Sequence, residues 1–206
     1  MKIITIPLRI PWAANCRAVV SDQNNAALID APCDAEMILA HLKNEGVRLK
    51  KILLTHGHFD HIMATSELVE QTGAEVYIHK NDADKLRSAD LSVASYFGIV
   101  GFKPFSGEKR VSDGDVITLD ELEFKVLHTP GHTSGGVCYI VENVIFSGDT
   151  LFEMSVGRTD MPDGDSKALC ESLKKLSELD GEYKIYPGHG PVTELSYEKK
   201  YNPYLQ

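Results

Sequence analysis

Apolar and polar positions change period repeatedly along the chain, and the changes mark its elements. Short apolar runs at Ile3–Pro7, Cys16–Ser21 and Ala26–Asp30 read as three strands, with hairpin-like turn chemistry at Gln23-Asn24-Asn25. A helical period follows. Asp34 can cap it, Met37, Ile38, Leu42 and Val47 share a face, and Gly46 stands near its end. Lys51–Leu54 has the pattern of a buried strand. Ile62, Leu68 and Val69 mark a helix that Gly73 closes, and Val76–Ile78 is the next strand. Asn81–Leu86 predicts a short helix capped by Asn81. Leu91–Gly101 has no assignable period, but it is apolar enough to cover something and is a candidate wall for a site.

The second half starts again with strands. Asp113-Gly114 is a turn, Val116–Leu119 a strand, and Glu121–Leu127 another, in which Leu122, Phe124 and Val126 alternate. Val137–Val141 and Val144–Phe146 are joined by the turn Glu142-Asn143. Asp165 caps a helix running to about Leu179, with Leu169, Leu173 and Leu176 at helical spacing. Lys184–Tyr186 is a last strand, and Pro191 to about Tyr201 a final short helix. Each half therefore resembles the other. No linker or low-complexity segment separates them, so residues 1–206 are expected to form one domain. Two sheets packed face to face, with helices outside, satisfy this order.

Composition narrows the function. Hydrophobic residues make up 43% and charged residues 25%, as in an ordinary soluble globular protein. The N-terminus lacks a secretory pattern and no apolar run approaches membrane length, so a cytoplasmic location is expected. The net charge of −9, without a basic run, argues against nucleic-acid and anionic-membrane partners. It leaves an anionic small-molecule substrate open, because divalent cations can reverse the local potential. Cys16, Cys33, Cys138 and Cys170 form no C-x-x-C pair and are expected to be buried small hydrophobes without disulfides.

The chemistry concentrates after the predicted strands. Thr55-His56-Gly57-His58-Phe59-Asp60-His61 puts three imidazoles and one carboxylate within six positions. Crowding four such donors is costly unless a cation shares them. Three later strand ends each carry another donor just after a glycine: His132 in Thr129–Thr133, Asp149 in Ser147–Thr150, and His189 in Tyr186–Gly190. Glycine allows a sharp turn and close backbone approach. In extended chain, residues two apart point the same way, so His56 and His58 can share one metal, with His132 completing the set. Asp60 and His61 face a second metal with His189, and Asp149 can bridge the two. Imidazole and carboxylate suit zinc first, with iron or manganese open. Two such ions hold a hydroxide at neutral pH, since coordination lowers the pKa of water toward about 7.

These motifs, in this order, resemble the metallo-β-lactamase superfamily, whose α/β fold is a four-layer αββα sandwich. Within it the chain is similar to the short bacterial glyoxalase II-like (hydroxyacylglutathione hydrolase-like) group. The resemblance implies a di-metal hydrolase using the seven positions above, and cleavage of an anionic thioester such as S-lactoylglutathione by a metal-bound hydroxide. Asp60 would then be a ligand that also orients the hydroxide. The sequence departs from full-length glyoxalase II enzymes in two places. Their helical C-terminal extension, which grips glutathione, is not expected here, and Gly157–Asp165 replaces their Lys-containing loop. The Gly157-Arg158-Thr159-Asp160 pattern is similar to the short hydrolases and also to persulfide dioxygenases. Arg158 is a candidate for contacting a substrate carboxylate or an oxyanion, or else for an internal salt bridge to Asp160 or Asp165. His41, His79 and His128 are expected to be structural. Two rival functions stand beside the hydrolase. One is an iron persulfide dioxygenase using His56, His132 and Asp149. The other is a metal-binding module without catalysis.

Overall fold

The computed structural model describes residues 1–8 and 10–206. The first half builds a six-stranded sheet whose spatial order is the chain order. Strands β1 (Lys2–Ile6), β2 (Cys16–Val20) and β3 (Asn25–Ile29) are antiparallel neighbours. Helix α1 (Ala35–Asn44) then crosses over to β4 (Arg48–Leu53), which runs parallel to β3. Helices α2 (Phe59–Ile62) and α3 (Thr65–Thr72) lead to β5 (Glu75–His79). The sheet ends with β6 (Lys109–Val111), so β3 to β6 are all parallel.

The second half builds another six-stranded sheet. Strands β7 (Val116–Leu119), β8 (Leu122–His128), β9 (Val137–Val141) and β10 (Val144–Gly148) form an antiparallel meander. A small ribbon of β11 (Leu151–Phe152) and β12 (Ser155–Val156) precedes helix α4 (Ser166–Ser177). Strand β13 (Lys184–Pro187) lies parallel to β10, β14 (Thr193–Glu194) closes the edge, and α5 (Leu195–Tyr201) follows.

Side-chain alternation explains the layering. Along β2 to β4, Ala18, Val20, Leu28 and Ile52 face the helices α1 and α3, while Val19, Ala27, Ile29 and Leu53 face the other sheet. A strand buried on both faces reads as a continuous apolar run, as these do. Phe124, Val126, Tyr139 and Phe146 supply the second sheet's inner face, and Tyr139 Oη donates to Leu54 O at 2.9 Å across the sandwich. Cys138, Ile145 and Ile185 point outward under Leu169, Leu173 and Leu176 of α4. The result is the αββα sandwich expected from the order of elements. No helix among the described residues is long and apolar enough to cross a membrane.

Several expectations need correction. The single helix after His61 is two, because Ala64 N donates to Ala31 O and Ala31 N to His61 O, which pull the chain aside between them. Asn81 is not a cap. A 3-10 helix runs Ala83–Arg87 behind Asp82, and Asn81 Nδ2 donates to Ser134 O. The last helix begins at Leu195, since Thr193–Glu194 pairs with β13 first. Cys170 is exposed on the outer side of α4, whereas Cys16, Cys33 and Cys138 are buried; all four are free thiols. The edge strand β6 was missed because Lys109 and Arg110 give it no apolar pattern.

Asp165 caps α4 by accepting from Lys167 N and Ala168 N, and its own N–H donates to Gly131 O beside His132. Asp165→Ala is expected to lower stability by about 1 kcal/mol. Urea denaturation of the metal-free protein checks this, and an unshifted midpoint would contradict the capping role.

Candidate metal centre

The parallel pairs β3–β4–β5 and β10–β13 bring their C-terminal ends to one edge of the sandwich. Loops leaving these ends converge there, the usual place for a ligand site in a parallel α/β arrangement. After β4, His56 and His58 lie in extended chain around Gly57, with His58 at φ −72 and ψ 148. Helix α2 then turns Asp60 and His61 toward the same point. The turn after β8 brings His132, Asp149 follows the end of β10, and β13 leads to His189. Close approach depends on glycine at two of these turns. Gly148 adopts φ +49 against Thr55, and a Cβ on Gly188 would overlap Asp149 Oδ1 and His61 Cε1. Asn15 holds the His189 turn, its Nδ2 donating to Pro187 O and Gly190 O.

All seven predicted donors meet. They fall into overlapping sets whose donor atoms lie within 4.8 Å of one another: His56, His58 and His132; His56, His61 and Asp149; Asp60, His61 and His189. His58 Nδ1 and His132 Nε2 are 2.9 Å apart, and His189 Nε2 is 3.1 Å from Asp60 Oδ2. Asp149 sits between the groups. Its Oδ1 is 3.4 Å from His61 Nε2, and its Oδ2 is 3.6 Å from His132 Nε2 and 3.7 Å from His189 Nε2.

Hydrogen bonds behind the rings aim them. His61 Nδ1 donates to Asp30 Oδ2 at 2.8 Å, and His132 Nδ1 to the backbone oxygen of Arg158 at 2.8 Å. A carbonyl oxygen can only accept, so His132 carries its proton on Nδ1 and presents an Nε2 lone pair to the centre. The buried atoms His56 Nε2, His58 Nε2, His61 Nε2 and Asp149 Oδ1 make no hydrogen bond, and these four are most of the seven such atoms among the described residues. Orphaned buried donors and acceptors are rare in folded proteins. Their concentration here, on imidazoles and a carboxylate, fits divalent metal ions.

The electrostatics agree with that fit. Burial, then the neighbouring imidazoles His61, His58 and His132, pushes the His56 pKa well below its ordinary value. Burial and His132 push His58 down to about 4, so both rings stay neutral, the state a ligand requires. Burial opposes charge on His61 too, but Asp30, Asp149 and Asp60 raise its pKa well above the ordinary value, so these carboxylates favour a cation at His61, a proton in the absence of metal and the metal ion in its place when bound. Asp149 remains ionised despite burial because His61, His132 and His189 face it.

Two carboxylates outside the predicted set hold the loops. Asp30, in left-handed backbone (φ 58) just after β3, accepts from Thr55 N, Thr55 Oγ1 and His61 Nδ1. Asp82 accepts from Gly57 N, Thr133 Oγ1 and Gly135 N, and pairs with the buried Lys85, which also reaches Asp163. Sequence reading missed both. The only signal was an acidic residue ending an apolar strand at Asp30, and an Asp beside the presumed cap at Asp82. The guanidinium of Arg158 makes the internal pair, with Nε and Nη2 at 2.6 and 2.7 Å from the two oxygens of Asp160. Asp165 is not its partner. Away from the centre, His79 and His128 stack at 4.0 Å, and His41 lies in the last turn of α1.

A family model of the metallo-beta-lactamase superfamily matches residues 9–189, and the chain belongs to that superfamily. Among relatives, it is 36% identical over 210 residues to the hydroxyacylglutathione hydrolase GloC of Haemophilus influenzae, covering 100% of this chain and 98% of that one. Among solved structures, it superposes on the di-iron-bound form of TTHA1623 with a TM-score of 0.87 at 38% identity, covering 100% of both chains. It also superposes on the B3 metallo-beta-lactamase BLEG-1 with a TM-score of 0.88 at 34% identity, covering 99% of both.

Asp30→Asn keeps the shape of the side chain but weakens its hold on His61 Nδ1–H. Loss of such an orienting partner typically costs about 10- to 100-fold in metal affinity. Competition against a chromophoric chelator measures this for zinc, and an unchanged affinity would contradict the orienting role.

Proposed function

We propose that the chain is a metal-dependent hydrolase that cleaves a thioester such as S-lactoylglutathione. In this reading His56, His58 and His132 hold one ion, Asp60, His61 and His189 hold the second, and Asp149 lies between them. The observation that carries it is the position of Asp149, with one oxygen 3.4 Å from His61 Nε2 and the other 3.6 Å from His132 Nε2. The full-length similarity to a hydroxyacylglutathione hydrolase supports the substrate class. Donors spread from residue 56 to residue 189 make residues 1–206 the proposed working unit.

Bound divalent ions supply Lewis acidity toward a carbonyl oxygen and lower the pKa of a coordinated water from about 15.7 to about 7. The protein's own groups do the rest. Asp60, partly open to the cavity, stays ionised against its burial because His61 and His189 face it. Its carboxylate is therefore an acceptor that can orient the attacking water. The Arg158 carbonyl fixes the ring of His132, so Arg158 acts on the site through its backbone while Asp160 occupies its guanidinium. Thiolate leaves readily, a free thiol having a pKa of about 8.5, so no dedicated protein acid is required.

The loop Gly157–Asp160 keeps a second reading in view, an iron persulfide dioxygenase built on His56, His132 and Asp149. His58 separates the two, since that triad does not include it. In the hydrolase reading, His58→Ala and His132→Ala each cut thiol release from S-lactoylglutathione, measured without oxygen, by about 100-fold or more. Oxygen uptake with glutathione persulfide that survives His58→Ala but not His132→Ala would replace that reading with the dioxygenase. Protein that takes up two metals yet turns over no thioester, ester, lactam, phosphoester or persulfide would favour a binding module.

A further inference from the structure

The cavity above the donors, about 370 Å³, has two unlike sides. One is the imidazole and carboxylate set. The other is an apolar wall of Trp12, Phe59, Val93, Phe97 and Met161. Three of its rings form a continuous surface: Trp12 to Phe59 with centroids 5.3 Å apart, and Phe59 to Phe97 at 5.5 Å. Phe59 is buried, but Trp12 and Phe97 remain 37% and 49% exposed, so the outer rings present unpaired apolar area to the cavity.

The wall is tied to the donors. Phe59 follows His58 directly and precedes Asp60, and its N–H donates to Ser92 O at 3.0 Å, which docks the segment carrying Val93 and Phe97. Val93 itself lies at φ +59, a conformation rare for a β-branched residue, and its side chain packs with Phe59, Ala94 and Met161. Strained backbone of this kind persists where the surroundings over-determine it, commonly at ligand sites. Among the described residues, Arg158 is the only Lys or Arg lining the cavity, and its charge is already matched by Asp160.

Resting on the hydrolase reading, we propose that the preferred substrate carries a bulky apolar group, aromatic or branched, beside its scissile carbonyl, seated against Trp12, Phe59 and Phe97. A lactoyl group, small and hydroxylated, leaves that wall uncovered. An aryl group stacks on it in the offset or tilted geometries that aromatic rings favour. One methylene in an apolar pocket shifts kcat/KM by about 10- to 200-fold, so the preference is measurable.

The test compares S-phenylacetylglutathione with S-lactoylglutathione on the metal-containing protein, holding the thiol constant. The expected kcat/KM is at least about tenfold higher for the phenylacetyl thioester, and Phe97→Ala narrows that ratio at least fivefold. An equal or lower value for the phenylacetyl thioester overturns the inference. A second readout does not need turnover. Trp12 is the chain's single tryptophan, so its fluorescence reports occupancy of the wall. If neither thioester is hydrolysed, the hydrolase reading fails, and fluorescence decides the pocket alone. Saturable quenching by phenylacetate, weakened at least fivefold by Phe97→Ala and absent with lactate, sustains it; no saturable response, or the same response to lactate, overturns it.

Discussion

Two buried carboxylates hold the site together, and neither belongs to the donor set. Placing a carboxylate out of water is costly unless hydrogen bonds replace its hydration. Asp30 has three such bonds, two from the loop after β4 (Thr55 N and Thr55 Oγ1) and one from α2 (His61 Nδ1). Asp82 takes one from Gly57 of the same loop and two from the second half of the chain, at Thr133 and Gly135, with Lys85 matching its charge. The histidine loop is thus pinned at its start, middle and end. The His132 loop is tied to it through Asp82. Without those ties, seven donors at the mouth of a two-sheet sandwich would hang on four independent turns.

The sandwich explains why four turns can converge at all. Strands β3 to β5 share one direction, as do β10 and β13, and their C-terminal ends open on the same edge. Each half contributes donors from its parallel strands, and Tyr139 bonded to Leu54 O keeps the sheets in register behind the site. Asp149 then lies between the two donor groups, with Oδ1 near His61 and Oδ2 near both His132 and His189. Chemistry and access are divided in the same way. The strand ends carry the polar groups, and the irregular segments around Trp12 and Phe97 carry the apolar wall.

What could be read from sequence follows the range of the forces involved. Bounds of β7 and β9 match the prediction because turn residues and alternation are local signals. The seven donors were legible because they follow apolar runs, four in the histidine motif and three just after a glycine, and the family resemblance arranged them. Asp30 and Asp82 were not, because their partners lie 25 to 53 residues away and nothing local distinguishes either carboxylate. Asn81 was preferred as a cap by the same local logic, whereas Asp82 turned inward to satisfy buried N–H groups that only the fold creates. Arg158 was read as either an anion contact or a salt bridge. The structure shows the pair with Asp160, and adds a backbone contact to His132 that no side-chain pattern encodes. The segment Leu91–Gly101 was recognised as a candidate wall from composition alone. Its strained turn at Val93 has no sequence signature.

Anomalous diffraction from crystals of the protein purified without added metal, with data collected across the zinc, iron and manganese edges, locates the ions that the seven donors are proposed to hold. Two scatterers are expected in each chain. One lies among His56, His58 and His132, the other among Asp60, His61 and His189, and Asp149 touches both. A single ion bound by one set, or scatterers bound anywhere else on the chain, would contradict that assignment.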